Sequence, residues 1–465
     1  MNAAVPVYAP QVDVRAWTPD GRFYHADLMG DLKQIQTHKD TVNPAGTFVL
    51  TFTSRQDAAG SWASKLPPRT YVEIRAGVAQ RGNPPILMRG FVDQSQQVMA
   101  MPPQTGGPQR QVQIVGRDYG GLLADWQLLY LWAVDPMSTL LAAAIPGYPV
   151  NSVNFNIPLD PTQPQPVGTA LQQIVDHMIA PSVDALRNAL AHAPLPALRT
   201  WIYLPSRFTI NFMNVEPWTG VYWNLINFLA SPPLGEAFVF DDDPGPTLVV
   251  RRTPYKAWDG TYPLESQDPA AHGFFPDITV DGGALAAGQQ AAHQLGMDAS
   301  EVFTYYFVMP DQADMFNQPP TQFFYAEGQA GAPGTNVPAS AFEGASANPI
   351  FDADQAQRYG LRVLQIQTPW VYLGGTSDTA TYTAMAAKCA ELATWCYQVF
   401  RYNDRYVGGT ITLHGHEQYR VGRYVRIPPW RLAFYLQGVD HLINISDVNA
   451  TWQTTLTVVR GQEAA

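Results

Sequence analysis

Charge is scarce in this chain. Only 14% of its 465 residues are Asp, Glu, Lys or Arg, against a usual share of about 25%. A surface so poor in charge is one that other proteins cover, or one built from Gln, Asn and Thr instead. The few charges sum to −11, which excludes a surface built to neutralise phosphates, since that needs clustered Lys and Arg. Cysteine is nearly absent, with two residues in the whole chain, so no disulfide framework holds the fold. Cys389 and Cys396 lie seven apart in a helical pattern. That is about 10 Å along a helix axis, too far for a bridge, so they read as two small buried residues on one face. Long apolar runs are missing too. The longest, Leu128 to Val134, falls well short of the roughly 20 residues that span a bilayer. No basic-then-apolar leader is read at the start, where the first basic residue is Arg15. The expectation is a soluble protein made in the cytoplasm.

The hydrophobic share, 46%, is ordinary, and Pro (40) and Gly (36) are plentiful, so real cores are joined by many loops. The length suits roughly two to four domains. Four runs near the C-terminus, within 408–461, are rich in β-branched and aromatic residues and bounded by Gly, Pro or Asn. They read as consecutive antiparallel strands. In the last, Trp452, Thr454, Leu456 and Val458 alternate with Gln453, Thr455, Thr457 and Val459. The first set seeks a core, and the Thr-rich set tolerates water or a neighbouring subunit.

Residues 1–124 also read as strands: Val12–Trp17, Thr47–Thr53, Tyr71–Arg75, Leu87–Asp93 and Gln111–Asp118, with a short helix at Trp62–Leu66. Between 125 and 234 helical spacing prevails, in Leu122–Val134, in Gly168–His192 with a break at Pro181, and in Trp218–Ala230. Asn151–Val167 is Pro-rich and read as irregular. Gly235–Asp243 and Thr247–Pro254 form a hairpin, and Glu301–Val308 is a further strand. The Gln-, Ala-, Gly- and Pro-rich stretch 309–349 reads as a long peripheral loop. Leu361–Tyr372 is extended, and a helix runs from Thr376 to about Tyr402 with Met385, Cys389, Leu392, Cys396 and Val399 on its core stripe.

The order of these runs carries a resemblance. The strand Gly409-Thr-Ile-Thr-Leu413, the turn Tyr419-Arg-Val-Gly422, the aromatic strand ending Val439-Asp440-His441 and the closing Thr454-Thr-Leu-Thr-Val-Val-Arg-Gly461 resemble the final barrel of phage tail hub proteins. That family spans baseplate hubs of contractile-tailed phages, late-control tail proteins and the hub part of type VI secretion spikes. Phe48-Val-Leu-Thr-Phe52, Gly90-Phe-Val-Asp93 and Gly116-Arg-Asp-Tyr-Gly-Gly-Leu-Leu123 resemble its first barrel, with Gly116-Arg117-Asp118 and Val459-Arg460-Gly461 at corresponding closing positions.

The resemblance implies a mainly β, α+β chain: two tail-tube-like antiparallel β-barrels joined by a partly helical connector. The implied domains are 1–124 (first barrel), 125–234 (connector), 235–308 with 400–465 (second barrel), and 309–399 (inserted loop and helix). It implies a virion protein of a bacteriophage, a baseplate or tail hub that ends the tail tube and adapts it to a central spike as a homotrimeric, pseudo-hexameric ring. The implied partners are further copies of itself, the tail tube or tube-initiator protein, the spike, baseplate wedge proteins and the tape-measure protein. Phage DNA would pass through the lumen without specific binding. The alternatives are a peptidoglycan-degrading tail protein and a carbohydrate- or receptor-binding tail protein, the latter prompted by 12 Trp and 22 Tyr.

No catalytic, cofactor-binding or metal site is expected, nor an enzyme. His414, His416 and Glu417 invite a metal reading, but position 420 is Arg where a zincin needs His, and the run is strand and turn rather than helix. Asp241-Asp242-Asp243 lacks the Gly and Glu of a calcium loop and reads as a hairpin turn, with a weak cation site as the alternative. No phosphate-binding, nucleophile-elbow or dinucleotide fingerprint occurs. Gly422, between two strands that must stay paired, is expected to supply a positive-φ turn or a bulge.

Overall fold

The structure is a computed structural model. It describes residues 10–53, 56–57, 60–78, 83–100, 109–128, 164–210, 220–263, 269–280, 290–310, 325–326, 347–372, 379–446 and 450–463. The Pro-rich run 151–163 and most of the expected loop at 309–349 lie outside these residues.

Thirteen strands pair into one sheet. In chain order they are β1 (Gln11–Trp17), β2 (Phe23–Tyr24), β3 (Leu32–Asp40), β4 (Thr47–Thr53), β5 (Tyr71–Gly77), β6 (Ile86–Ala100) and β7 (Gln109–Asp118), followed by β8 (Ile278–Thr279), β9 (Gln290–Met297), β10 (Val407–His414), β11 (Arg423–Ile427), β12 (Leu432–Ile445) and β13 (Ala450–Glu463). Their spatial order is β9-β10-β13-β12-β3-β4-β7-β6-β5-β1-β2, with β11 on β12 and β8 on β11. The chain is thus mainly β with helices, as expected. Among the described residues, however, no ladder closes either strand set into a barrel of its own. The reason is the pairing of β3: it lies antiparallel to β12 from Gln34–Asn444 to Asp40–Gly438, so the N-terminal set runs on into the C-terminal one.

The two sets repeat each other in register. β6 and β7 pair from Gln94–Val115 to Val98–Gln111, just past a shift between Val92 and Gln94. β12 and β13 pair from Gly438–Thr457 to Leu442–Gln453, past a shift between Leu436 and Gly438. β3 on β4 has a shift between Leu32 and Gln34, and β9 on β10 has the matching one between Gln290 and Ala292. Tyr71 opposes Phe91 as Tyr424 opposes Tyr435, so Tyr71-Val-Glu-Ile74 and Tyr424-Val-Arg-Ile427 are the same strand twice. The four-strand unit β6-β7-β4-β3 therefore recurs as β12-β13-β10-β9. The ladders match Gly116 to Val458, one residue earlier than the closing motifs suggest.

Alternation places the cores. Ile35, Phe48, Leu50, Phe52, Val112 and Ile114 share one buried cluster with Ile443 and Trp452 from the C-terminal strands. Ile411, Leu413, Val439, Leu456 and Val458 point the same way into a second cluster. Each such side chain contributes about 1.5–3 kcal/mol relative to being exposed. A third cluster lies under the helices Tyr222–Ala230 and Thr379–Phe400, where Met385, Cys389, Leu392, Cys396 and Val399 are buried as their spacing requires. Both cysteines are unbridged, and burial pushes their thiols up, so they are inert.

Several element readings change. The helical run Val167–Ala189 is not broken at Pro181: a π turn at Val175–Ile179 joins its two parts. A wider turn moves aside the carbonyl that the proline ring would meet. The helix expected from Leu122 starts earlier, at Tyr119, where the Asp118 carboxylate caps it by accepting the Gly120 N–H, and it ends at Asp125. The strand expected at Glu301–Val308 occupies Tyr305–Pro310. The hairpin Gly235–Asp242/Gly245–Arg252 forms as expected, but its outer neighbour is Arg199–Tyr203, in parallel, rather than a strand of the large sheet.

Candidate functional site

The face of the sheet opposite the cores is rich in amides and hydroxyls, with Val49, Val115 and Leu442 among them. Across eight strands it presents Gln94 and Gln96, Gln111 and Gln113, Thr47 and Thr51, Gln34 and Gln36, Asn444, Gln453 and Thr455, Thr410 and Thr412, and Gln294. Their partners are largely one another. Gln34 donates to Asn444 at 2.8 Å, Gln36 to Gln34 at 3.2 Å, Gln94 to Gln96 at 3.3 Å and Gln96 to Gln113 at 3.5 Å, while Thr412 and Thr455 sit 3.2 Å apart. The cross-strand pairs among these, Gln34–Asn444, Gln96–Gln113 and Thr412–Thr455, are of the kind that stabilises a wet sheet face.

Charge on this face is confined and compensated. Arg117 forks to Asp93 (2.6 Å) and Asp125 (2.7 Å). At the seam between the two strand units, His38 bridges Asp440 through Nδ1 (2.7 Å) and Asp40 through Nε2 (2.9 Å). Both ring nitrogens face a carboxylate, so both donate and the ring is an imidazolium. These hydrogen bonds to Asp40 and Asp440 raise its pKa to about 10. Asp40, despite its burial, is held at about 2 by His38 and by the N–H groups of Asn43 and Val42.

Beneath the seam the inward side chain of Lys39 is enclosed between Asp118 at the end of β7 (2.8 Å), Asp241 of the hairpin (2.7 Å) and the Val239 carbonyl (3.1 Å). Burial alone would lower this ammonium, but the two carboxylates outweigh it and hold the pKa above its ordinary value. Burial pushes the Asp118 carboxyl up against the pull of Lys39. Arg89 of β6 reaches Glu73 (3.4 Å) and the Asp242 and Asp243 carbonyls, and Arg420 donates to the Ile86 and Leu87 carbonyls at the start of β6. The Asp241–Asp243 turn is thus a junction of protein cations. Asp242 takes Arg199 and the Gly245 N–H, and Asp243 takes Arg75. Nothing in the sequence marked Lys39 as the hub of this cluster.

Gly422 has φ +80°, as its reading requires, and its N–H donates to the Leu436 carbonyl at 2.9 Å. Its counterpart in the first unit is Arg69, with φ +70° and an N–H bonded to Val92 at 2.8 Å. The Gly422 carbonyl accepts from Arg251, a fully buried guanidinium paired with Glu236 at 2.8 Å and lying over Phe275. Tyr435 donates to the other Glu236 oxygen at 2.5 Å.

His414 ends β10, His416 stands in the turn after it 3.5 Å from Glu417, and Glu417 accepts the Val78 N–H at 3.1 Å. Among the described residues no three His, Cys, Asp or Glu side chains gather as metal ligands, and no helix is long and apolar enough to cross a membrane.

No family model matches the chain, and no curated protein does. Among solved structures it is similar to a tail protein from Neisseria meningitidis, at 14% identity and TM-score 0.44 over 97% of both chains. It is also similar to the 43 kDa tail protein of prophage MuSo2 from Shewanella oneidensis, at 13% and 0.45 over 97% of this chain and 98% of that one. A type VI secretion component from E. coli, described as structurally similar to phage tail proteins, aligns at 10% and 0.39 over 94% of this chain and 74% of its own.

Proposed function

We propose that this chain is a structural hub of a phage tail: three copies form a pseudo-hexameric ring that ends the tail tube, seats the central spike and meets wedge and tape-measure proteins in the baseplate of the virion. One observation carries the reading. A four-strand unit occurs twice in the chain, with matching register and two bulges in common, laid edge to edge in a sheet that no ladder among the described residues closes. Open sheet edges are a hazard that ring closure removes. Three copies present six such units, which suits a six-fold tube. In that ring the amide face turns inward and lines the hole. A wall of mutually hydrogen-bonded neutral amides gives DNA no salt-linked hold. Native mass measurement of the purified protein tests the reading. A species of roughly three times the 51.3 kDa monomer is expected, and a persistent monomer or a six-copy ring would sink it.

A further inference from the structure

The internal repeat specifies a contact that the single chain cannot make. Within the chain the second half of β12 pairs with β3, Asp440 opposite His38 and Gly438 opposite Asp40. In the N-terminal unit the counterpart of β12 is β6, whose first half pairs with β5 and whose second half pairs with β7 alone among the described strands. In the C-terminal unit the counterpart of β3 is β9, which pairs with β10 on one side and, among the described strands, ends the sheet on the other. Both free edges carry the bulge of their counterpart. Even the turn repeats: Asp40 accepts the Val42 N–H at 2.8 Å, and Asp298 accepts the Ser300 N–H at 2.8 Å. The two free edges lie far apart in the strand order of one chain.

We infer that the second half of β6 in one copy pairs antiparallel with β9 of a second copy of this chain, in the register of the β12–β3 seam. Gln94 then opposes Asp298, Gln96 opposes Gly296, and Val98 opposes Gln294 of the neighbour. The inference rests on the hub reading for the meeting of copies, and adds the surface and the register. The backbone N–H and C=O groups along both edges, which no second described strand takes, would gain ladder partners. Met297, 68% exposed at the free edge, would come opposite Ser95 and be covered. Gln294 of the neighbour would stand diagonally across from Gln96, which Gln113 flanks on its other side. The edges differ, so the contact is head-to-tail, and its rotation closes a ring.

Cysteine cross-linking tests the register. The two native cysteines are buried, and a Cβ at Gly296 meets nothing within 4 Å. At the equivalent seam position the side chains of Asp440 and His38 touch, so Gln96→Cys with Gly296→Cys should oxidise to covalent dimers and higher bands of the full chain. Gln94→Cys with Gln294→Cys, about 13 Å out of register at ~3.3 Å per residue, should give at least tenfold less. Hydrogen exchange on the wild type guards against misfolded variants: amides of 94–98 and 290–297 should slow together on assembly. An oligomer that cross-links only in the shifted pair, or leaves both segments exchanging freely, overturns this contact while sparing the hub reading. A protein that is monomeric by mass overturns both.

Discussion

Gly422→Ala adds a single methyl group, and the structure says what that group meets. A Cβ there would lie 2.5 Å from Phe238 Cζ and 3.0 Å from Arg251 Nη2. Phe238 is buried in the second cluster, and the Arg251 guanidinium is held by Glu236 and by the Gly273 carbonyl, so neither side chain moves freely. Overpacking of this kind costs about 1–3 kcal/mol. The left-handed backbone adds about 1 kcal/mol for an L residue, and the stiffer unfolded chain returns about 0.4–1 kcal/mol. The net expectation is a loss of about 1–3.5 kcal/mol. Arg69, in the same turn of the first unit, separates the two contributions because it is exposed. Arg69→Gly relieves backbone strain and loses conformational restriction in nearly equal measure, so it should stay within about 0.5 kcal/mol of wild type. Urea denaturation of both variants, read as a shift in midpoint at unchanged slope, checks this. In phage carrying Gly422→Ala, particles should lack complete tails while soluble chain accumulates. A Gly422→Ala protein as stable as wild type, or an equal loss in Arg69→Gly, would refute the packing argument.

Lys39→Met leaves Asp118 and Asp241 facing each other without their cation. It should cost about 3–5 kcal/mol by denaturation, with much of the loss recovered when Asp118→Asn is added. His441 is buried, accepts from Thr454 and Trp452 on Nδ1, and has its pKa lowered to about 3, chiefly by burial and then by Arg420. The unfolded chain therefore binds this proton first, so stability falls as pH drops from about 6.5 toward 3, by roughly 2 kcal/mol at pH 5. His441→Gln should flatten that part of the stability profile relative to wild type. His38 acts in the opposite sense: its contribution is full below about 6.5 and lost as pH rises through about 10, so His38→Gln should matter least at alkaline pH. Gln36→Lys with Gln113→Lys on the amide face should create duplex-DNA binding that weakens with salt, with a slope of about 0.9 per phosphate contact, where the wild type shows none in filter-binding or anisotropy assays.

What the sequence disclosed was local. The alternation in Thr451–Val459 named the buried and polar sides of β13 correctly, because a strand of period two needs no knowledge of its neighbours. The helix stripe at Met385–Val399 was equally plain. The repeat is visible in Tyr71-Val-Glu-Ile74 and Tyr424-Val-Arg-Ile427, yet only the ladders fix its register, since β-bulges at Gln94, Gly438, Gln34 and Ala292 leave no reliable mark in residue type. The seam of β3 with β12 joins residues about 400 apart. Local propensity carries no information on such a pairing, and the resemblance implied two barrels without saying how their edges meet. Lys39 reads as an ordinary strand lysine until Asp118 and Asp241 are brought to it from two other elements. Pro181 reads as a break because a π turn has no residue signature of its own.

Electron cryo-microscopy of the assembled protein tests the central claim most directly. The account predicts a closed ring of three copies whose hole is lined by Gln34, Gln36, Gln96, Gln113, Gln453 and Thr455, with β6 of each copy against β9 of the next. Copies that meet through their helices, or an amide face turned outward to solvent, would contradict it.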